Sequence, residues 1–445
     1  MLLDKSKDQK KELFVLRCFS CKQTYEIDDY GKFYYCKKCG DLLEIKLIGK
    51  AIYNSGRSHS ETKGPAPSRG VWKYFGMIPI WKETNIISLQ EGETVLLDCG
   101  RLAKVLDLKS LFVKFDGQNP TGSFKDRGMT VGVSKAKEVG FKRVICASTG
   151  NTSASLAAYS ARANLDCTVL IPKGKIALGK IAQAIAYGAE IVQVEGNFDD
   201  CLRMAREISE ESQEILLLNS LNPFRIEGQK TAAFEITEQL GFVPDNLVLP
   251  MGNGGNISSL WKGFNEIAEF AFIEGVEKEE QRRLPRMSGI QAEGAAPIAR
   301  AFHSKKKTIE QVLDPHTEAS AINIGSPVSS SKALGAIYDS GGAADFVSDE
   351  EIFSAQRLLA SKEGLFVEPA SAAPIAYLSK VSKRESGFAR EQFELVKESV
   401  IVCIGTGNGL KDPNAIMKDL AGTRLKVVNA DVKSLEKILL PYNAK

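Results

Sequence analysis

From residue 111 onward the chain alternates short apolar runs with amphipathic stretches: 111–115 then 126–139, 143–148 then 153–162, 167–172 then 177–187. Further apolar runs follow at 190–196, 214–219, 246–252 and 400–405. Runs this apolar have no polar alternation for a wet face, so they belong to strands covered on both sides, as in parallel sheets whose crossovers are helices. An α/β protein follows, with ligands expected at the carboxyl ends of the strands. A length of 445 residues allows two or three such domains.

The first 50 residues are of a different kind. Cys18-Phe-Ser-Cys21 and Cys36-Lys-Lys-Cys39 flank a polar, aromatic segment with the look of a hairpin. Two CxxC knuckles so close read as a zinc ribbon, because four thiolates at that spacing close a tetrahedron around Zn²⁺. Nothing there offers an open coordination position, so the metal is expected to be structural; the rival is a ribbon that keeps the fold but stays empty. The other five cysteines, Cys99, Cys146, Cys167, Cys201 and Cys403, are scattered, three of them in strand-like runs, which suggests buried thiols in a reducing compartment. Residues 55–70, rich in Ser, Gly, Pro and charge, read as an exposed linker.

Composition excludes several classes. Lys+Arg 58 against Asp+Glu 55 leaves a formal charge of +3, which makes no electrostatic case for nucleic acid. No run approaches the roughly 18 apolar residues that span a bilayer, and the polar start lacks a signal-peptide core, so a cytoplasmic protein without a membrane partner is expected. The three histidines, His59, His303 and His316, lie in no motif, which leaves a His-centred hydrolase poorly supported.

Four segments at strand-to-helix junctions carry the chemistry. Asn119-Pro-Thr-Gly-Ser-Phe-Lys125-Asp-Arg-Gly128 puts a lysine at the end of the first run, where partial desolvation would leave enough neutral amine to attack an aldehyde; a lone lysine is otherwise a solvated surface group. Ser148-Thr-Gly-Asn151-Thr-Ser153 could hold an anion such as a substrate carboxylate, or be no more than an N-cap cluster. Gly252-Asn-Gly-Gly-Asn256 is the candidate phosphate cradle, since glycines let backbone N–H groups approach an ester closely. Gly405-Thr-Gly-Asn-Gly409 imitates a dinucleotide loop, but it sits in the last βα unit and not the first.

Together with GKIALGKIAQAIAYGAEIVQVEGNFDD, NSLNPFRIEGQKTAAFEI, IQAEGAAPI and GLFVEPASAA, these segments resemble the fold-type II pyridoxal-phosphate enzymes, and among them the threonine synthase family, over nearly the whole chain. The resemblance implies two doubly wound α/β domains of the tryptophan synthase β-like kind behind the ribbon. Their division would be 1–50 ribbon, 51–80 linker or exposed segment, 81–120 and 223–430 large cofactor domain, 121–222 small domain, and 431–445 tail. It implies a lyase of threonine biosynthesis that converts O-phospho-L-homoserine and water to L-threonine and phosphate, and a homodimer is expected.

By the same resemblance Lys125 would hold pyridoxal 5'-phosphate as a Schiff base and act on the Cα proton, while Asn151 would bond the phenolic oxygen. Gly252, Asn253, Gly254, Gly255 and Asn256 would bind the cofactor's phosphate, and Thr406 would face the ring nitrogen, a neutral partner that suits elimination. Ser148, Thr149 and Thr152 would take the substrate's α-carboxylate, and Asn219, Ser220 and Arg225 its phosphate, Arg225 as a permanently charged fork. The relatives' E-G-G-T-P-L reads Glu91-Gly-Glu-Thr-Val-Leu96 here, which leaves the fit of that rim loop open.

Two rivals stand beside this reading. A serine or threonine dehydratase, or a lyase acting on phosphoserine, shares the lysine; Asp126-Arg127, the Gly252–Asn256 loop and the ribbon favour threonine synthase. An adaptor carrying a dead enzyme fold would explain the ribbon, but Lys125 and every expected cofactor contact are present.

Overall fold

The computed structural model describes residues 10–29, 33–49, 69–174, 178–212, 214–413 and 427–439. Described residues up to Asp412 form one compact unit and those from Pro413 a second. In the second, helix Val432–Leu439 is capped by Asp431, which accepts from Ser434 N at 2.9 Å and Ser434 Oγ at 2.8 Å. The rest of the expected tail, 440–445, lies outside the described residues.

The first unit opens with an antiparallel sheet of β1 (Phe14–Cys18), β2 (Thr24–Tyr25) and β3 (Leu43–Leu47), in the order β2-β1-β3. Of the expected linker, 51–68 lies outside the described residues. The exposed reading fails for its last part: helical turn Gly70–Met77 and the residues after it bury Val71, Trp72, Tyr74, Met77, Ile78 and Ile80 in the main core. The apolar side chains that follow the polar run decide that outcome.

Among the described residues ten further strands form two sheets, and all but one run in the same direction within their sheet. A six-stranded sheet has the order β12-β11-β10-β13-β5-β4, from β4 (Leu96–Asp98), β5 (Ser110–Phe115), β10 (Asn246–Pro250), β11 (Arg286–Ala292), β12 (Ala344–Val347) and β13 (Val400–Gly405). Only β4, at the edge, runs antiparallel. Its inner strands are the most apolar: all five residues of β10 are buried, and Cys403 of β13 faces Val248 on one side and Val113 on the other. A four-stranded parallel sheet has the order β8-β7-β6-β9, from β6 (Arg143–Ala147), β7 (Asp166–Pro172), β8 (Glu190–Val194) and β9 (Ile215–Leu217). The five scattered cysteines are buried, unbonded thiols.

Helix Lys125–Val139 is buried on nearly every face from Asp126 to Ala136 and crosses helix Pro223–Gln229 at backbone contact. A Cβ on Gly228 would lie 1.8 Å from the Arg127 carbonyl oxygen, so only glycine permits this crossing.

At the crossing Arg127 enters a buried ion cluster. It pairs with Asp116 at 2.8 Å and Glu235 at 2.6 Å, Lys114 pairs with Glu235 at 2.7 Å, and Thr94 Oγ1 accepts from Arg127 at 3.0 Å. Burial alone would raise the Glu235 carboxyl, but the Arg127 and Lys114 charges outweigh it and hold it well below the ordinary range. The depressed value means that this contribution is present above the unfolded carboxylate pKa of about 4.3 and fades as acid protonates the group. Arg127→Ala is expected to cost about 3–5 kcal/mol, because two carboxylates lose their shared cation. Urea unfolding at neutral pH measures this, and a loss below about 1 kcal/mol would mean that the cluster braces nothing.

Candidate functional site

Loops at the carboxyl ends of β5, β13 and β10 in one sheet, and of β6 and β9 in the other, carry the expected residues. Lys125 is the first residue of its helix. The turn before it is stitched to the loop after β13, with Phe124 N donating to Thr406 O at 2.9 Å and Asn408 N to Gly122 O at 2.9 Å. Asp126 holds the same turn from inside, accepting from Thr121 N at 2.7 Å, Thr121 Oγ1 at 2.6 Å and Ser155 Oγ at 2.6 Å. The Asp126-Arg127 pair thus serves the lysine from two sides: Asp126 shapes its turn and Arg127 anchors its helix.

Lys125 keeps partial exposure although protein surrounds it, which describes an amine in a crevice. Burial, reinforced by the Arg225 charge and opposed by Glu368, brings its pKa down to about 7. Arg225 lies in helix Pro223–Gln229, 2% exposed, with its Nε buried and unpartnered and no carboxylate among the described residues pairing with it. Burial lowers even this guanidinium to about 10. A buried, unpaired guanidinium beside an amine has a large desolvation cost and calls for an anion.

Asn151 and Thr406 converge on one side chain that sequence reasoning missed. Glu368, 4% exposed, accepts from Asn151 Nδ2 at 2.9 Å and from Thr406 Oγ1 at 3.1 Å. Its only local signal is an acidic residue before Pro369 at the start of helix Pro369–Ser382. Ser371 completes the group, 2.8 Å from Thr406 Oγ1.

In the glycine turn Gly254 adopts φ +80° and caps helix Gly255–Phe270. Asn253 is engaged in holding the turn, with its Oδ1 accepting from Val328 N at 3.3 Å and its carbonyl from Ser329 N at 2.9 Å. Asn256 Nδ2 is buried without a partner, and Ser220 Cβ lies 4.0 Å from where a Cβ on Gly255 would stand. Asn219 clamps the end of β6 through both ends of its amide, to Ala147 N and Ala147 O at 2.9 Å each, which leaves one N–H. Ser148 accepts from Gly150 N at 3.2 Å, and Ser148, Thr149 and Thr152 are all partly exposed around the start of helix Asn151–Ala163.

The rim loop fits well. Glu91, 1% exposed, accepts from Tyr159 OH at 2.6 Å and Leu89 N at 2.9 Å, and Gly92 N donates to Asn119 Oδ1 at 2.9 Å.

The profile of the family described as "Pyridoxal-phosphate dependent enzyme" matches residues 87–407. A threonine synthase of Methanocaldococcus jannaschii is 51% identical over 424 residues, 95% of this chain and 98% of that protein. The chain belongs to the threonine synthase family of pyridoxal-phosphate-dependent enzymes. A threonine synthase of Methanosarcina acetivorans is 46% identical, over 91% of this chain and 94% of that protein. Solved structures share the fold: maize serine racemase at TM-score 0.59 and 20% identity, covering 74% of this chain and 92% of that one, and a threonine deaminase of Solanum lycopersicum at 0.57 and 21%, covering 85% and 96%.

The donor set of this family member fits its cofactor. Asn256 Nδ2 is a buried donor without an acceptor, Gly254 allows backbone where a Cβ would meet Ser329 O at 2.9 Å, and the Lys125 amine has a pKa brought down to about 7. A separate cavity of about 330 Å³ lies at the opposite, amino ends of β6 to β8, but its Arg143 is already paired with Asp166 and Glu190.

In the ribbon the sulfur atoms of Cys18, Cys21, Cys36 and Cys39 lie within 4.8 Å of one another, with Lys38 N donating to Cys36 Sγ at 3.4 Å.

In cofactor-free protein, labelling of Lys125 by an amine-directed sulfonate should rise with a midpoint near pH 7. Surface lysines should follow near their usual value of about 10.4. Arg225→Leu removes a repelling charge and should move the Lys125 midpoint upward; peptide mapping across pH reads both, and an unmoved midpoint would deny the coupling.

Proposed function

We propose that this protein is a threonine synthase, converting O-phospho-L-homoserine and water to L-threonine and phosphate in the cytoplasm, and that it works as a homodimer. The observation that carries the reading is the unpaired, buried Arg225 guanidinium within electrostatic reach of the near-neutral Lys125 amine. A dehydratase acting on unphosphorylated serine or threonine would leave that charge without a counter-ion.

Pyridoxal phosphate, when bound, supplies an electron-withdrawing ring conjugated to the substrate's nitrogen. Lys125 holds it at rest, Asn151 meets its phenolic oxygen, Thr406 its ring nitrogen, and Gly252, Asn253, Gly254, Gly255 and Asn256 its phosphate. Once free, the Lys125 amine takes the proton at the substrate's Cα, since a base of this pKa is half neutral near pH 7. Ser148, Thr149 and Thr152 orient the α-carboxylate. A second proton leaves Cβ as the substrate's Cγ–O bond to the phosphate breaks, with Arg225, Ser220 and the remaining N–H of Asn219 paired to the departing phosphate; water then adds its hydroxyl at Cβ, and protons return to Cγ and Cα. A fixed cation facing charge that grows on the leaving group is favoured over solvent because it needs no reorganisation. In this reading the six-stranded sheet belongs to a larger cofactor domain (81–120 and 223–430), the four-stranded one to a smaller domain (121–222), and the four cysteines hold a structural zinc.

Arg225→Ala is expected to retain cofactor and lose about 10²–10³ in kcat, the cost of one such contact. Phosphate release assayed with phosphohomoserine against phosphoserine checks substrate and residue together; an unchanged rate in the variant would remove Arg225 from the phosphate site, and formation of a 2-oxo acid would indicate a dehydratase.

Elemental analysis should find one zinc per chain, and Cys36→Ala should lose it together with thermal stability. A metal-free parent protein that melts at the same temperature after zinc is added would refute the structural role.

A further inference from the structure

We propose that Glu368 is a positioning residue at the edge of the cofactor's ring, and that it works in its neutral acid form, donating to Thr406 so that the Thr406 hydroxyl can donate to the ring nitrogen. The inference rests on the reading of Asn151 and Thr406 as the ring's partners.

Counting protons leads to it. Thr406 Oγ1 carries one hydrogen, and two oxygens stand within reach of it, Ser371 Oγ at 2.8 Å and Glu368 Oε1 at 3.1 Å, of which a carboxylate is the stronger acceptor. An ionised Glu368 would keep it, and the lone pairs of Thr406 would then face the lone pair of an unprotonated ring nitrogen. A neutral Glu368 reverses the chain: its O–H donates to Thr406 Oγ1, and the threonine's hydrogen is free for the ring. Ser371 can donate to Thr406 Oγ1 at 2.8 Å while accepting from Gly407 N at 2.9 Å, but such a donation does not draw the threonine's hydrogen away from an ionised Glu368.

Asn151 is served by the same carboxyl group. One of its two N–H bonds goes to Glu368 Oε2 at 2.9 Å, which fixes the amide with Nδ2 toward the crevice and leaves the second N–H for the phenolic oxygen. A negative charge on Glu368 would repel that oxygen.

The site is built to keep the group in place. Glu368 N donates to Gly407 O at 3.0 Å, and a Cβ on Gly407 would stand 2.4 Å from the Glu368 carboxyl carbon, so glycine at 407 makes room for it. The charged groups that face Glu368 are Lys125 and Lys411, both favouring the anion. Burial outweighs them, together with the Asn151 and Thr406 hydrogen bonds, and raises the carboxyl above its ordinary range.

The test uses holoenzyme reconstituted with pyridoxal phosphate isotopically labelled at the ring nitrogen, whose NMR shift separates a protonated from a hydrogen-bonded, unprotonated ring. The parent should show the unprotonated ring. Glu368→Gln, which donates to Thr406 and accepts from Asn151 as the neutral acid does, should keep the same shift and a cofactor Kd within about threefold of the parent, less than the loss of one hydrogen bond. Glu368→Leu leaves two buried polar groups unpaired and should weaken cofactor binding by about 10- to 100-fold. A protonated ring in the parent, or a Gln variant as impaired as the Leu variant, would overturn the proposal. Should the Gln variant fail to fold, the parent's ring shift decides alone. Failure of the threonine synthase reading is separable, because it would appear as absent phosphate release with these cofactor signals unchanged.

Discussion

Two glycines set the distance on which this molecule depends. Where helix Lys125–Val139 crosses helix Pro223–Gln229, Gly128 and Gly228 let main chain meet main chain: a Cβ at either would come within 2.9 Å of the opposing backbone. So close a crossing places two arginines on either side of it, Arg127 and Arg225, both almost wholly buried. Arg127 has two carboxylates and is satisfied; Arg225 has none among the described residues. The first guanidinium holds the helix that presents Lys125, and the second keeps a buried Nε without a partner. Burying a cation without a partner destabilises a fold, and this one also lies within electrostatic reach of the Lys125 amine, the kind of uncompensated charge that clusters at functional sites.

The crevice around Lys125 is assembled by loops that belong to distant parts of the chain yet share hydrogen bonds. The turn before Lys125 pairs with the loop after β13, the loop after β13 pairs with the start of helix Pro369–Ser382, and Glu368 there reaches helix Asn151–Ala163 beyond β6. Each link is short, and several run backbone to backbone. A shift of any one loop therefore moves the amine, the hydroxyl and the amide together, which keeps their mutual geometry while both sheets contribute side chains.

Strand-to-helix junctions were legible because parallel strands must be apolar: β5, β6, β7, β10 and β13 all fall where the runs do, and Lys125 falls at a helix start. The strands β11 and β12 were not, since Ser288, Gly289 and Gln291 dilute β11 and β12 has four residues. Local pattern also misjudged residues 70–80, whose burial depends on partners elsewhere in the core. At the site, Arg225 could be named from its motif, whereas its lack of a counter-ion among the described residues is a property of everything around it and has no sequence signature. Glu368 escaped for the same reason: a carboxyl before a helix-starting proline is ordinary until its two partners arrive from 217 residues before it and 38 after.

The ribbon is part of the same body. Phe14, Leu16, Ile27, Tyr34, Leu42, Ile45 and Leu47 join the main core, and β3 offers its carbonyl oxygens to two lysines, Leu43 O to the buried Lys332 at 2.9 Å and Ile45 O to the partly buried Lys262. Lys262 lies on the helix that the glycine turn begins, and it also pairs with Glu227 of the Arg225 helix. On the other side Tyr34 OH meets Ser209 at 2.8 Å and accepts from Leu217 N of β9 at 3.2 Å. Burial already brings the Lys332 amine down to about 8, so removing its carbonyl partner would leave a costly orphan. The ribbon therefore satisfies buried polar groups on elements from both sheets, and the energy that orders its four cysteines acts on the helices that frame the glycine turn and Arg225.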